Sequence, residues 1–498
     1  MLIKTARRVA VLLGVSLATL LGVRAWDAQR GRPLDPWHEF VPSEMSVEAM
    51  DRAGWSEYLA AEDALFAATR TQMAERVPAE DRVPINRYFE GSRIFPGGFE
   101  RDWNRSYVIE PAGEPAGVAV FLHGLTDSPY SARRTLERYR ERGFVGIAIR
   151  LPAHGTVPGA LTDVAWEEWS AATRLAVREA RRRVASPKPL HVIGYSNGGA
   201  LAMQYALDAI ENASLARPDR IVLVSPMIGV TTFARFAGVA GLPAILPAFA
   251  RAAWLGVVPE FNPFKYNSFP VNAARQSFLL SDALQRQIAR LADAGRLDGL
   301  APVLTFQSVI DFTVSTRAIV DALYARLPAN GSELVLYDMN RSAKFGLLMR
   351  HAADAELARL LPPAPRRFRT TILGNDSPEA SRVAERVIEA GSEQERSRPL
   401  DLSFPDGVFS LSHIALPFAV DDGLYGLEPD PAEDFGIQLG SIGLRGERGA
   451  LVLGLDSLMR MSSNPFFAYQ VERIGDTIDV SEPRRAAAVR AHRSRSPE

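Results

Sequence analysis

The sequence contains no cysteine among its 498 residues. This absence excludes disulfide bonds, thiolate zinc sites and a cysteine nucleophile. Positive and negative charges nearly cancel, and a formal net charge of -1 gives no sign of a nucleic-acid-binding surface. Lysine is scarce, and arginine supplies nearly all of the basic charge; the lysines are Lys4, Lys188, Lys265 and Lys344. Long apolar runs are missing beyond the N-terminus, so no later segment is predicted to span a membrane.

The N-terminal segment combines basic residues with an apolar run. Lys4, Arg7 and Arg8 precede the uncharged residues 9–23, a pattern typical of export signals. At about 1.5 Å per residue, the run is short for a bilayer core of about 30 Å. The Val-Arg-Ala sequence that follows is an imperfect cleavage site because it contains Arg24. Three interpretations stay open: a cleaved signal peptide, an inner-membrane anchor with its basic end in the cytoplasm, or a buried helix. The first two place the rest of the chain in the periplasm or cell envelope.

From residue 118 onward, short apolar runs alternate with charged amphipathic segments. Fully apolar strands that alternate with helices predict an α/β protein, with a mostly parallel sheet covered by helices on both faces. The strands are predicted at 118–122, 145–149, 191–193, 221–225, 302–308, 333–338 and 368–373, and helices at 131–142, 166–184, 200–207 and 281–294.

Breaks in this alternation indicate how the chain is divided. A segment rich in proline and phenylalanine interrupts it first, and a second irregular region interrupts it later. The expected boundaries are 1–25 for the signal peptide or anchor, 26–105 for a mostly helical N-terminal extension, 106–230, 301–340 and 401–480 for the core, 231–300 for a lid, 341–400 for an insertion and 481–498 for a disordered tail.

The stretch Gly194-Tyr195-Ser196-Asn197-Gly198 reads G-x-S-x-G where a predicted strand runs into a predicted helix. Glycines on both sides permit a sharp turn that lifts the Ser196 hydroxyl above the edge of the sheet. The helix N-terminus then offers amide donors to a developing oxyanion. The pattern predicts that Ser196 is a nucleophile, and the alternative is an ordinary serine in a tight turn.

An activated serine needs a histidine base, which follows the serine in the chain order of a nucleophile elbow. His413 lies where an apolar run enters a loop, and we predict that it is the general base. His351 is the alternative, although it lies within residues 345–361, which read as one continuous helix.

The acid that orients the base is expected between the serine and the histidine. Asp311 follows the predicted strand at 302–308 and precedes a helix, which favours it as this acid. Two alternatives stay open: Asp311 could be a plain helix cap, and Asp338 also ends a predicted strand.

An oxyanion hole requires two backbone amides, one of them from the residue after the nucleophile. That residue is Asn197. The second amide comes from the loop after the first core strand, where His123-Gly124-Leu125 makes Leu125 the predicted donor. His123 is then expected to be structural.

Together these residues resemble the α/β-hydrolase superfamily, in particular its carboxylesterase and monoacylglycerol-lipase-like branch. The matching motifs are HGLTDSPYS at 123–131, LPAHG at 151–155, GYSNGG around Ser196, VIDFTVS around Asp311 and SHIALP around His413. The resemblance covers residues 106–230, 300–338 and 399–474. It implies an eight-stranded, mostly parallel sheet, a Ser-Asp-His triad, no cofactor and a lid at 231–300.

The sequence departs from this family pattern between the acid and the base. Asp311 and His413 are 413 − 311 = 102 positions apart, whereas the resemblance implies one strand and a short loop between them. Residues 340–400 are therefore expected to contain an inserted strand-helix unit, and His351 stays open as the base.

The expected function is an exported serine hydrolase that cleaves small-molecule or lipid-like carboxylic esters. The aromatic lid segment favours an apolar acyl or alcohol group, and residues 9–23 offer a route to membrane association. The alternatives are amide or peptide hydrolysis, acyl transfer to an alcohol, and a non-catalytic binding protein of the same fold at the cell envelope.

Overall fold

The computed structural model of the chain describes residues 2–229, 241–343, 356–440 and 460–478. The alternative base His351 and the predicted tail lie outside these residues, as do parts of the predicted lid and insertion.

Strands make up one large central sheet and one small pair. In chain order they are β1 (Tyr107–Ile109), β2 (Gly117–Leu122), β3 (Phe144–Ile149), β4 (Leu190–Tyr195), β5 (Arg220–Val224), β6 (Trp254–Gly256), β7 (Phe269–Pro270), β8 (Val303–Ser308), β9 (Glu333–Tyr337), β10 (Arg369–Asn375), β11 (Arg382–Ile388) and β12 (Glu395–Ser403).

Ten of these strands form the central sheet in the order β1-β3-β2-β4-β5-β8-β9-β10-β11-β12. The seven neighbours from β3 to β10 run parallel, while β1, β11 and β12 are antiparallel to their neighbours. Strands β6 and β7 pair separately. The mostly parallel sheet confirms the predicted α/β-hydrolase fold class, with more strands than the eight that the resemblance implies.

Helices cover the sheet and extend the chain on its N-terminal side. They are α1 (Leu2–Gln29), α2 (Pro36–Glu39), α3 (Val47–Arg52), α4 (Trp55–Arg76), α5 (Arg133–Glu141), α6 (Trp166–Arg183), α7 (Asn197–Glu211), α8 (Val271–Asp293) and α9 (Glu356–Leu360), and residues 316–326 and 467–478 are also helical.

The two faces of the sheet bury separate cores because successive side chains of a strand point to opposite faces. On one face, Val120 of β2 packs in a cluster with Leu175 of α6 and Leu201 of α7. On the other face, the next residue, Phe121, packs with Leu136 of α5 and Ile474 of the last helix. Every residue of β2, β4 and β8 is buried, which explains why these strands are mostly apolar on both faces.

The region predicted as an insertion enlarges the sheet. Strand β10 was predicted and pairs parallel with β9, whereas β11 and β12, which were not predicted, fold back antiparallel beyond it. The residues of β12 are mostly exposed and include Arg396 and Arg398, and charge on an edge strand discourages pairing with other chains. After β12 the chain returns to the carboxyl ends of the parallel strands.

The N-terminal extension is fixed to the core through Arg150, which follows β3. Its buried guanidinium contacts Glu44 at 2.8 Å and Glu62 at 3.1 Å, and its carbonyl accepts the Tyr58 hydroxyl at 2.6 Å. A buried arginine is costly without partners, so these contacts determine where the extension docks.

Helix α1 is the one described segment that is long and apolar enough to cross a membrane. The most apolar 18 residues within Lys4–Gln29 have a mean hydropathy of 1.9 and are not buried against the protein. The C-terminal end of α1 lies against residues 241–256: Arg24 donates to the Trp254 carbonyl, and Arg251 donates to the Gln29 carbonyl at 2.8 Å. An export signal and an anchor share these properties.

Candidate active site

Ser196 lies in a tight turn between β4 and α7. Its backbone has φ 54° and ψ -116°, a left-handed conformation that costs free energy in a residue with a side chain. A side chain on either flanking glycine would collide with backbone: a Cβ on Gly194 would lie 2.2 Å from the Gly198 carbonyl oxygen, and one on Gly198 would lie 2.0 Å from the Leu122 oxygen. The G-x-S-x-G spacing is therefore a steric requirement of this turn.

The structure brings together the three residues that were predicted for catalysis. His413 Nε2 lies 2.9 Å from Ser196 Oγ, and His413 Nδ1 lies 2.9 Å from Asp311 Oδ2. Ser196 and His413 are buried, and the side chain of Asp311 is fully covered. With the Nδ1 proton directed at the carboxylate, Nε2 can accept the serine hydroxyl proton.

The carboxylate of Asp311 is held in its charged form. Its Oδ1 accepts the amides of Thr313 at 2.7 Å and Val314 at 3.0 Å, and its Oδ2 accepts Gln307 Nε2 at 3.1 Å. Burial would raise the pKa of Asp311, but the neighbouring His413 and the backbone amides outweigh burial and hold that pKa below its usual value. Asp311 can therefore orient the imidazole as an anion.

The loop that ends in His413 is tied to the sheet. Ser308, the last residue of β8, donates its hydroxyl to the Leu411 carbonyl at 2.9 Å. The Tyr195 ring packs against the His413 ring at 5.5 Å between centroids. Sequence reasoning missed Gln307 and Ser308, although polar side chains at the end of a buried strand are a usable signal.

The two predicted oxyanion donors flank Ser196. Asn197 begins α7, and the loop that carries Leu125 lies close against Ser196, because a Cβ on Gly124 would lie 3.2 Å from Ser196 Cβ. Within the described ranges, neither the Leu125 amide nor the Asn197 amide donates to a protein acceptor. Both amides are thus free for a substrate oxygen.

Asp127 supports this loop and was not predicted. Its Oδ2 accepts the Ser131 hydroxyl at 2.6 Å and the Gly124 amide at 3.3 Å. Burial raises the pKa of Asp127 to about 6, against the opposing effect of the Ser131 hydrogen bond. Its place in the HGLTDSPYS motif was the available signal.

Histidines that precede Ser196 have structural contacts. His123 Nε2 accepts the Leu151 amide at 3.0 Å, which joins the loops after β2 and β3. Burial lowers the pKa of His123 well below its usual value and lowers that of His154 to about 4. Both rings are therefore neutral near pH 7.

The alternative acid, Asp338, lies at the end of β9 and has other partners. Its carboxylate is 3.5 Å from Arg341, 3.8 Å from Arg386 and accepts the Met339 amide at 2.8 Å. It is Asp311 that contacts His413. In the part of the chain that the structure describes, no group of three or more His, Asp or Glu residues could hold a metal ion.

Comparison with known proteins gives a family match. The sequence profile described as the alpha/beta hydrolase family matches residues 119–407, more than half of the chain. The match includes Ser196 and Asp311 and ends before His413. No curated protein matches the sequence.

Solved structures of lipolytic enzymes are similar to about half of the chain. A structure described with the metagenome-derived lipolytic enzymes LipS and LipT is 22% identical over 47% of this chain and 86% of its own, with a TM-score of 0.37. The monoacylglycerol lipase of Paleococcus ferrophilus is 17% identical over 47% of this chain and 88% of its own, with a TM-score of 0.35. Monoglyceride lipase from Saccharomyces cerevisiae, solved with a substrate analogue, is 14% identical over 47% of this chain and 81% of its own, with a TM-score of 0.36.

Proposed function

Because the chain belongs to the alpha/beta hydrolase family, we propose that it is a serine hydrolase that cleaves carboxylic esters through an acyl-enzyme. The observation that carries the proposal is the continuous hydrogen-bonded series from Asp311 through His413 to Ser196, with 2.9 Å at each step to the imidazole. A nucleophile, a base and an orienting acid in this order are the parts that acyl transfer to water requires.

In the proposed mechanism, His413 Nε2 takes the proton from Ser196 Oγ as this oxygen attacks the ester carbonyl carbon. Asp311 keeps the Nδ1 proton on the imidazole and stabilises the positive charge that forms on the ring. The tetrahedral intermediate collapses as His413 donates its proton to the leaving alcohol. Water then attacks the acyl-enzyme in the same way, and the carboxylic acid leaves as Ser196 recovers its proton.

In this mechanism, the backbone amides of Leu125 and Asn197 stabilise the negative charge that develops on the carbonyl oxygen. Donors that are fixed before the reaction cost no reorganisation when the charge appears. Asp127 contributes indirectly because it holds the Gly124 amide next to Leu125. Leu125 and Asn197 are therefore assigned as the oxyanion hole.

An apolar acyl or alcohol group is the proposed recognition feature of the substrate. Apolar side chains of the lid segment are open to solvent, with Leu242 at 43%, Leu246 at 59% and Ile245 at 77% exposure. These residues lie beside the end of α1 that contacts the lid. If α1 remains as a membrane anchor, this surface lies close to a bilayer and lipid-derived esters become accessible.

Export to the periplasm or cell envelope is part of the same proposal. Lys4, Arg7 and Arg8 precede the apolar residues of α1, the charge arrangement that keeps the N-terminal end in the cytoplasm. Detection of the chain in washed membranes, with Arg24 still present by mass spectrometry, would support an anchor. A soluble periplasmic form that begins after Ala25 would support a cleaved signal.

The proposal is tested by titrating the purified exported domain with a fluorophosphonate and mapping the adduct by mass spectrometry. We expect one equivalent on Ser196, absent in Ser196→Ala, lost in His413→Ala and kept in His351→Ala. An adduct that survives His413→Ala but not His351→Ala would assign the base to His351. No adduct on the folded protein would overturn the enzyme assignment in favour of a binding protein.

Matched substrates distinguish ester hydrolysis from amide hydrolysis and from acyl transfer, which the same three residues could also catalyse. We expect faster turnover of an ester than of the amide with the same acyl group. A reversed preference would indicate a peptidase or amidase, and acylated glycerol among the products of a reaction with added glycerol would indicate an acyltransferase.

A further inference from the structure

A cavity of about 320 Å³ adjoins the proposed catalytic residues. Its wall includes the chain neighbours Tyr195 of Ser196 and Ile414 of His413, together with Asp127 of the loop that follows Leu125. The cavity therefore adjoins the chain neighbours of the proposed nucleophile and of the proposed base. Its volume is within the range of small-molecule sites.

Two cationic side chains line this cavity. The ammonium group of Lys265 makes no hydrogen bond and no ion pair with any described residue. Arg460 also lines the wall and donates to the Thr313 hydroxyl at 3.2 Å, two positions from Asp311. Burial lowers the pKa of Lys265 although Asp127 opposes this effect, and an anionic partner in the cavity would stabilise the charged form of the lysine.

The acidic residue of the wall is already engaged by the protein. Asp127 accepts hydrogen bonds from Ser131 and Gly124. The negative charge of Asp127 stabilises the charged form of Lys265 from a distance, but the two side chains form no ion pair. The described lining thus carries Lys265 and Arg460 against Asp127, an excess of positive charge.

Lys265 is held in place by its backbone. Arg87 donates to the Lys265 carbonyl at 3.2 Å and to the Asn262 carbonyl at 3.1 Å. The next residue, Tyr266, donates its amide to the Thr126 carbonyl at 2.8 Å, which joins this segment to the loop of the oxyanion hole. These contacts fix the backbone from which the Lys265 side chain extends, and a backbone that is fixed in advance reduces the entropy that binding must overcome.

Beside the polar residues Asn262, Asn267 and Ser462, the described wall carries aromatic side chains that include Phe261, Phe418 and Tyr425. Such a lining suits a short carbon chain or ring that separates the ester from a charged end. Lys265 is one of only four lysines in the chain, so a lysine at this position is unusual for this composition.

We propose that this cavity is a subsite for an anionic oxygen group of the substrate, a carboxylate or a phosphate, that Lys265 and Arg460 bind next to the scissile ester. This inference rests on the proposed ester hydrolysis and specifies its substrate class: an ester with a negatively charged end on its acyl or alcohol part.

The test compares esters that differ only in charge. Its first pair is the p-nitrophenyl monoester of adipic acid and its methyl ester, and its second pair is a monoacylglycerol phosphate and the matching monoacylglycerol. In the wild-type protein we expect kcat/KM to favour the anionic member of at least one pair, and the preferred pair distinguishes carboxylate from phosphate.

Variants assign the preference to the cavity. The ratio of kcat/KM for the anionic and neutral members should fall about tenfold in Lys265→Met and recover in Lys265→Arg. Lys188→Met is the matched control because it removes the same charge from a surface lysine that is paired with Glu114. Arg460→Gln should reduce the ratio too, and it serves if Lys265→Met does not fold.

Labelling of Ser196 by the fluorophosphonate keeps the two proposals apart. A protein that is labelled, but whose ratio is the same in wild type, Lys265→Met and Arg460→Gln, overturns the anionic subsite and leaves the hydrolase. For a wild type that turns over neither pair, millimolar adipate or glycerol 3-phosphate should slow labelling of the wild type and not of Lys265→Met. If these anions slow labelling of both proteins to the same extent, or slow neither, the subsite is overturned. Absence of labelling on the folded protein overturns the hydrolase itself.

Discussion

The Ser308 hydroxyl is bonded to the Leu411 carbonyl at 2.9 Å, and this bond joins the strand before Asp311 to the loop before His413. Asp311 and His413, the proposed acid and base, are 102 positions apart in the chain. Loss of the hydroxyl would leave the Leu411 carbonyl without this donor in a buried place, so the imidazole would be less well fixed.

We therefore expect Ser308→Ala to lower kcat about tenfold and the free energy of unfolding by about 1 kcal/mol. Ser332→Ala is a suitable control, because Ser332 is also buried and its hydroxyl accepts the Val303 amide at the opposite end of β8. Steady-state kinetics and urea unfolding would separate the effects. Equal loss of kcat in both variants would contradict a positioning role for Ser308.

Asp311→Asn should reduce kcat roughly ten-thousandfold, because an amide favours the wrong tautomer of the imidazole. Asp338→Asn should keep its activity, since Asp338 contacts Arg341 and Arg386. Circular dichroism would verify that both variants fold. The opposite ranking of the two activities would transfer the orienting role to Asp338.

Two inactive variants of Ser196 should differ in stability. The positive φ of Ser196 is strained for alanine but not for glycine, so Ser196→Gly should unfold with a free energy about 1 kcal/mol higher than Ser196→Ala. Urea titrations at one pH give the comparison. Glycine that is no more stable than alanine would indicate that the turn relaxes once the hydroxyl is gone.

Asp127 provides a prediction about pH. Because its pKa is raised from 3.8 to about 6, the folded protein binds a proton there more tightly than the unfolded chain does between these values. The contribution of Asp127 to stability is therefore largest below about pH 4 and is lost as pH rises through 6.

Relative to Asp127→Asn, the wild-type free energy of unfolding should fall by up to about 3 kcal/mol between pH 4 and pH 7. Unfolding of both proteins at a series of pH values isolates this group, since all other titrations are shared. A difference that rises with pH would show that the Asp127 carboxyl is not destabilised by burial.

The sequence was sufficient for the parallel part of the fold and for the choice of Ser196, Asp311 and His413 as candidates. Each of the three residues lies in a short local motif, and the chain order of serine, acid and histidine restricts which acid and which histidine can pair with Ser196. The sequence alone could not eliminate His351 as the base, because it did not reveal the inserted strands β11 and β12. In β11 and β12, arginine and glutamate interrupt the apolar residues, a pattern that does not separate an edge strand from an exposed loop.

Contacts between distant segments were also beyond sequence reasoning. Arg150 meets Glu44 across 106 positions, and Arg87 fixes Lys265 across 178. Neither arginine differs from its many neighbours of the same type in the chain. Only the three-dimensional arrangement reveals that Arg150 holds the N-terminal extension and that Arg87 holds a wall of the cavity.

The separation of Ser196 and His413 by 217 positions has a consequence for how the protein acquires activity. In the folded protein, strands β8 to β12 lie along the chain between the proposed nucleophile and the proposed base. Long-range closure is slow, and such contacts form late in folding. We therefore expect labelling of Ser196 during refolding to lag behind the recovery of helix and sheet signals, so that a reactive serine would report on completion of the whole sheet.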